Sequence, residues 1–191
     1  MNKDRNSEIK PALDVLNRKG TILYPADTVW GLGCDATDSA AVRRLYSIKG
    51  KRAGTAAIVL VANLDMLYDC VRKVPDIALD LIEVSDGPLT LVLPGACGVA
   101  PEIVAEDGSI GVRLVRHDYC AALVRALRRP LVSTSANLAG QPTPKSFGDI
   151  APEILSAVDY TVDARHAGRM TGKPSPIIAA GLSGEVRIIR N

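Results

Sequence analysis

Aromatic side chains are scarce in this chain of 191 residues: one Trp, one Phe and five Tyr make 4%. A core must therefore be assembled from Ala, Val, Leu and Ile, and a nucleic-acid surface built on rows of stacking rings is excluded. Histidine is scarcer still, with only His117 and His166. The four cysteines, Cys34, Cys70, Cys97 and Cys120, lie far apart and form no CxxC pair. A zinc site needs closely spaced ligand pairs, and disulfide frameworks belong to short, Cys-dense secreted chains, so neither is expected. The longest apolar run, AAIVLVA at 56–62, is far too short to span a bilayer. The charged first twenty residues lack the apolar stretch of a signal peptide. These shortages predict a soluble, cytoplasmic protein of a reducing compartment, with no membrane partner.

What is present suffices for a sizeable core, since 47% of the residues are apolar and 23% charged. No internal repeat, low-complexity tract or long Pro/Gly/Ser linker divides the chain, so one domain over residues 1–191 is expected. Net charge is only +2, but it is unevenly spread. Residues 43–52 carry five positive charges and no acid, 111–129 carry five against Asp118, and 165–173 carry three and no acid. If these stretches share a face, the protein has a basic surface on an acidic body. If they do not, they are three ordinary solvated faces.

Short apolar runs alternate with helix-length periodic ones. Strands are expected at 21–25, 57–62, 89–94, 109–115, 130–136, 160–164, 176–180 and 186–190. Between them lie helix starts: Asp38 before SAAVRRLYSIK, Asn63 before LDMLYDCV, Pro75-Asp76 before a run to Glu83, and Asp118 before YCAALVRALRR. Ile9, Leu13 and Leu16 have helical spacing near the start. Alternating strands and helices predict an α/β fold with a partly parallel sheet, and adjacent strands around a Ser-Gly turn at 183–184 make that sheet mixed.

Two phosphate-binding motifs fail on inspection. GLG at 31–33 is a fragment of GxGxxG, and GRMTGKPS at 168–175 has one residue too few for a P-loop and places Pro174 where a backbone donor is needed. No GxSxG elbow exists, and Glu106-Asp107 precede a Gly in a turn. A distributed set remains. STSAN (133–137) follows an apolar strand, at the end where α/β sheets bind ligands, although the same residues also make an ordinary polar turn. YPADTVWGLG (24–33) closes another strand with a polar cluster, or with a tight turn capped by Asp27. Lys49, Lys51 and Arg52 cluster at a helix C-terminus, which favours cations in any case. Arg113 sits in mid-strand among apolar residues, where a buried guanidinium needs an anionic partner, either a ligand or a protein carboxylate.

In chain order the set reads Tyr24-Pro25-x-Asp27-Thr28-Val29-x-Gly31-Leu32-Gly33, Lys49-x-Lys51, Asp86-Gly87-Pro88-Leu89-Thr90, Gly111-Val112-Arg113-Leu114-x-x-His117, Ser133-Thr134-Ser135-Ala136-Asn137, Pro174-Ser175 and Arg190. The series closely resembles the YrdC-like family of threonylcarbamoyl-AMP synthases, over nearly the whole chain. That resemblance implies a mixed, twisted sheet flanked by helices, with a concave electropositive cavity. It implies an enzyme, a nucleotidyltransferase, that condenses L-threonine, bicarbonate and ATP into threonylcarbamoyl-AMP and pyrophosphate, with Mg²⁺ arriving on the ATP. A separate transferase complex would then modify the tRNA adenosine beside the anticodon. The family also has an association with double-stranded RNA.

By the same resemblance, Lys49, Lys51 and Arg52 would contact phosphates. Ser133, Ser135 and Asn137 would hold the phosphate and ribose region, and Arg190 would close over the nucleotide. Thr28, Arg113 and Ser175 would bind the threonine carboxylate or the carbamate. No catalytic nucleophile or metal ligand in the protein is implied. The chain departs from the family pattern in three places: Ala26 where Thr follows Tyr-Pro, Lys51-Arg52 in place of Arg-Pro, and Pro176 where Thr follows the late Ser. Lys cannot reproduce a bidentate Arg contact, and Pro removes a hydroxyl and a backbone donor. The departures suit a shifted amino-acid preference, or a non-catalytic double-stranded RNA- or ribosome-binding paralogue on the same scaffold.

Overall fold

A computed structural model describes residues 2–50 and 57–191, with side chains from Ser7 onward. Its elements in chain order are α1 (Asn2–Asn17), β1 (Ile22–Pro25), β2 (Trp30–Gly33), α2 (Ser39–Lys49), β3 (Ile58–Val61), α3 (Leu64–Cys70), α4 (Asp76–Val84), β4 (Thr90–Leu93), β5 (Ile110–Leu114), α5 (Asp118–Leu127), β6 (Leu131–Ser135), α6 (Pro152–Ala157), β7 (Tyr160–Thr161), β8 (Ile177–Ala180) and β9 (Val186–Arg190). The strands form one mixed sheet in the order β7-β1-β2-β6-β3-β5-β4-β8-β9. Pairs β1/β7, β3/β5 and β4/β8 are parallel and the others antiparallel. Every expected strand is present, in the expected mixed α/β class.

The caps explain where helices begin. Asp38 accepts from the Ala41 amide and Asn63 from the Met66 amide, each satisfying a donor the first turn leaves open. At α5 the cap is not Asp118, as the sequence suggests, but His117, whose Nδ1 accepts from the Cys120 amide at 3.4 Å. Asp118 is instead the first helical residue, where its charge complements the dipole. α1 packs on α5 through Ile9, Ala12 and Leu16, all buried. The aliphatic core continues through Leu23, Leu32, Val59, Leu60, Leu93, Leu123 and Leu131.

β2 is the strand that sequence reading missed, because two of its four residues are glycines and their strand propensity is poor. Packing supplies the reason they are needed. Tyr24 pairs directly with Gly31 across the β1–β2 hairpin, and a Cβ at Gly33 would come within 2.7 Å of the Tyr24 ring and 2.8 Å of the Val132 carbonyl. Trp30 and Leu32, on the alternate positions, are buried in the core.

A second fixture ties the far edge of the sheet. Asp159, just before β7, accepts from the Thr21 amide at 2.7 Å and hydroxyl at 3.0 Å, and pairs with Arg44 of α2 at 2.6 Å. Burial pushes its carboxyl up, but the Thr21 donors and the Arg44 charge outweigh burial and hold it below the usual carboxylate range. A lowered folded-state pKa means stability that is present above the unfolded value of about 4 and lost as pH falls through the folded one. Asp159→Asn is therefore expected to cost about 1 kcal/mol at pH 7, with the difference from the parent shrinking towards pH 3, as read by urea denaturation at the two pH values.

Candidate active site

The period of the strands gathers one set of side chains on one sheet face. Ser133 pairs with Ile58, and Ile58 with Gly111, so Ser133 and Ser135 on β6 share a face with Gly111 and Arg113 on β5. On the other side of β5, Thr90 pairs with Ile177, and Ile177 with Arg190. Over this face lies an open cavity of about 230 Å³, lined by Thr28, Val29, Gly31, Ala57, Ile58, Arg113, Ser133, Thr134, Ser135, Thr143, Pro174, Ser175, Ile177 and Arg190. Among the described residues the lining carries two guanidiniums and no carboxylate.

Six residues singled out from the sequence thus meet in one place: Thr28, Arg113, Ser133, Ser135, Ser175 and Arg190. Arg113 is 2% exposed; its Nη1 donates to Thr28 Oγ1 at 3.1 Å and its Nη2 lies 3.2 Å from an Asp27 carboxylate oxygen. Both partners sit in the turn between β1 and β2. The Ser175 and Thr90 hydroxyls share a hydrogen bond at 2.7 Å, and the Ser175 carbonyl accepts two bonds from Arg190, from Nε at 3.1 Å and Nη2 at 2.8 Å. Burial pushes the Arg190 guanidinium pKa down, and the neighbouring Arg113 charge adds to the effect. Two like charges drawn to one cavity favour an anion between them.

Lys49 and Asn137 lie elsewhere. The Lys49 ammonium is buried beneath the STSAN loop, donating to the carbonyls of Ser135 at 2.5 Å and Asn137 at 2.7 Å. Asn137 in turn donates through Nδ2 to the carbonyls of Leu138 at 3.0 Å and Gln141 at 2.7 Å. Neither residue is among those lining the cavity. In this arrangement both hold the loop that presents Ser133 and Ser135. Lys51 and Arg52 lie outside the described residues. Ala26, one of the departures from the family pattern, is buried in the core and does not line the cavity, and the Pro176 carbonyl accepts from the Thr90 amide at 3.0 Å.

Sequence reading took Asp27 only as a turn cap and missed Thr143 altogether. The first was findable, since an Arg in mid-strand demands a carboxylate; the second sits in a loop with no distinguishing local signal. Among the described residues no nucleophile–base pair lines the cavity. Burial pushes the Cys120 thiol far up, and His117 spends Nδ1 on its cap and Nε2 on the Ala167 carbonyl at 2.9 Å. Among the described residues no group of three or more His, Cys, Asp or Glu side chains is placed to hold a metal ion. Lys49→Met, which keeps the aliphatic stem and removes the ammonium, is expected to cost about 2 kcal/mol by taking the donor from the Asn137 carbonyl and one of two donors from the Ser135 carbonyl, measured by chemical denaturation.

Comparison with known proteins agrees with this geometry. The family model Sua5/YciO/YrdC, described as "Telomere recombination", matches residues 14–191. A threonylcarbamoyl-AMP synthase of Xanthomonas oryzae pv. oryzae is 38% identical over 155 residues, 80% of this chain and 83% of that protein. The structure of P. abyssi Sua5 complexed with L-threonine superposes with a TM-score of 0.82 at 29% identity, covering 90% of this chain and 50% of that one. This chain thus spans about half the length of that protein. E. coli YciO superposes with a TM-score of 0.82 at 26% identity over 96% of this chain and 88% of its own. The chain belongs to the Sua5/YciO/YrdC family.

Proposed function

We propose that this protein is an ATP-dependent synthase that makes threonylcarbamoyl-AMP from L-threonine, bicarbonate and ATP, releasing pyrophosphate, for threonylcarbamoyl modification of tRNA adenosine next to the anticodon. The observation that carries the reading is the cavity over the sheet: among the described residues its lining has two arginines, six hydroxyl side chains and no carboxylate. All three substrates bring negative charge, and the cavity offers positive charge and short donors to receive it. The names of the relatives and the L-threonine complex of P. abyssi Sua5 support the same choice of substrates.

The chemistry needs no covalent intermediate on the protein. The threonine amine takes up the carbon of bicarbonate with loss of water, and an oxygen of the resulting carbamate displaces pyrophosphate from the α-phosphorus of ATP. What the protein supplies is positioning and charge stabilisation. Arg113, Thr28 and Ser175 would receive the threonine carboxylate and the carbamate. Ser133 and Ser135 would meet the phosphates, and Arg190, at the end of β9, would close the opposite wall over the nucleotide. Lys51 and Arg52 are placed by resemblance on the phosphates, and Mg²⁺ enters as part of the ATP substrate. Lys49 and Asn137 serve by holding the loop. The product would pass to a separate transferase complex acting on tRNA, and the electropositive cavity and cytoplasmic location belong to the same reading.

The test is pyrophosphate release from ATP and bicarbonate, with and without L-threonine, together with detection of the labile adenylate by mass. Threonine-dependent release is expected, and Arg113→Ala should lower it about a hundredfold or more. Protein that binds ATP yet releases no pyrophosphate with any amino acid would contradict the reading and leave a non-catalytic nucleotide- or RNA-binding paralogue.

A further inference from the structure

Asp27 lies behind the cavity, outside its lining, and nothing in the reaction as described uses it. Its surroundings are unusual for a carboxylate. Its side chain is 13% exposed, and among the described residues neither of its oxygens, both buried, has a hydrogen-bond donor. Among those residues its close charge is the Arg113 guanidinium, 3.2 Å from Oδ1 but not aligned as a hydrogen bond. The Arg113 Nε is likewise buried without a hydrogen-bond partner. The groups nearby are buried Tyr24 and Cys120, both made harder to ionise by burial first and by the Asp27 charge in smaller part.

A buried ion pair normally gains its stability from well-aligned, fully satisfied hydrogen bonds. This pair lacks them within the protein, and it is held by charge across a short gap. The backbone around Asp27 is fixed on the other side: the carbonyls of Asp27 and Thr28 accept from the amides of Thr171, at 3.0 Å, and Gly172, at 2.9 Å. These bonds anchor the Asp27 backbone beside Arg113. The carboxylate stays within range of whatever anion binds Arg113 and opposes that anion.

We propose that Asp27 is a positioning residue, the fixed counter-ion of Arg113: it aims the guanidinium at the cavity and offsets part of its charge, so that a substrate anion binds in competition with an internal carboxylate. Anion affinity is thereby kept moderate and the carbamate can leave as the adenylate. The inference deepens the functional reading above where it concerns threonine, but the electrostatic competition applies to any small oxyanion in this cavity.

The experiment compares the parent protein with Asp27→Asn, Asp27→Glu and Thr28→Val. Calorimetric titration with inorganic phosphate reads the cavity's charge alone; titration with L-threonine and steady-state pyrophosphate release read the reaction. Asp27→Asn is expected to bind phosphate about tenfold more tightly, to lower KM for L-threonine, and to lower kcat because the guanidinium is no longer aimed. Asp27→Glu, which keeps the charge, should restore phosphate affinity to near the parent value, and Thr28→Val should not tighten it. Unchanged or weaker phosphate binding by Asp27→Asn with a parent-like melting curve would overturn the proposal and leave Asp27 a structural turn residue. If that variant does not fold, tighter phosphate binding by Asp27→Glu would overturn it equally. Parent protein that releases no threonine-dependent pyrophosphate refutes the synthase reading alone, since the phosphate titration still tests the counter-ion.

Discussion

A guanidinium buried in the middle of a β-sheet is the constraint from which the rest of this structure follows. Arg113 stands on β5, near the centre of the strand order, and is almost wholly removed from water. A charge so placed costs several kcal/mol unless it is compensated. The compensation comes from a distant part of the chain, the β1–β2 turn with Asp27 and Thr28, which can reach β5 only because β6 and β3 lie between in the proper register. Fold and site are in this sense one arrangement. The parallel and antiparallel pairings that build the sheet also set the spacing between the charge and its partners.

Around that charge the chain builds walls in two ways. One wall is a strand end, β6 running into the STSAN loop, stiffened from below by a lysine whose ammonium donates to two of its carbonyls. The other is the segment before β8, hung on Thr90 and on Arg190 by the hydroxyl and carbonyl of Ser175. Each wall therefore uses a cation to order backbone beside the cavity.

Much of this was legible in the sequence, for reasons that differ from element to element. Asp38 and Asn63 marked their helices because capping is a local interaction between a side chain and an amide two or three residues on. The apolar runs marked their strands because most of them turn an aliphatic face to the core, although every residue of β9 is exposed. β2 was hidden because its glycines answer to the Tyr24 ring, a tertiary contact that propensity does not register. His117 displaced Asp118 as a cap for a similar reason: its ring is braced from across the fold by the Ala167 carbonyl. Of the residues lining the cavity, Arg113, Ser133, Ser135 and Ser175 are among those that pattern and resemblance single out. Lys49 was found too, but its direction was not, since nothing local distinguishes an ammonium facing a ligand from one facing loop carbonyls.

The central claim is that one anion-receiving cavity, floored by Arg113 and walled by Ser133, Ser135, Ser175 and Arg190, holds threonine and nucleotide together. A crystal structure of the protein with L-threonine and a non-hydrolysable ATP analogue tests it most directly. The account predicts the threonine carboxylate within hydrogen-bonding distance of Arg113 and the phosphates against Ser133 and Ser135. Either ligand bound away from this cavity, or a cavity filled only by solvent at saturating concentrations, would contradict it.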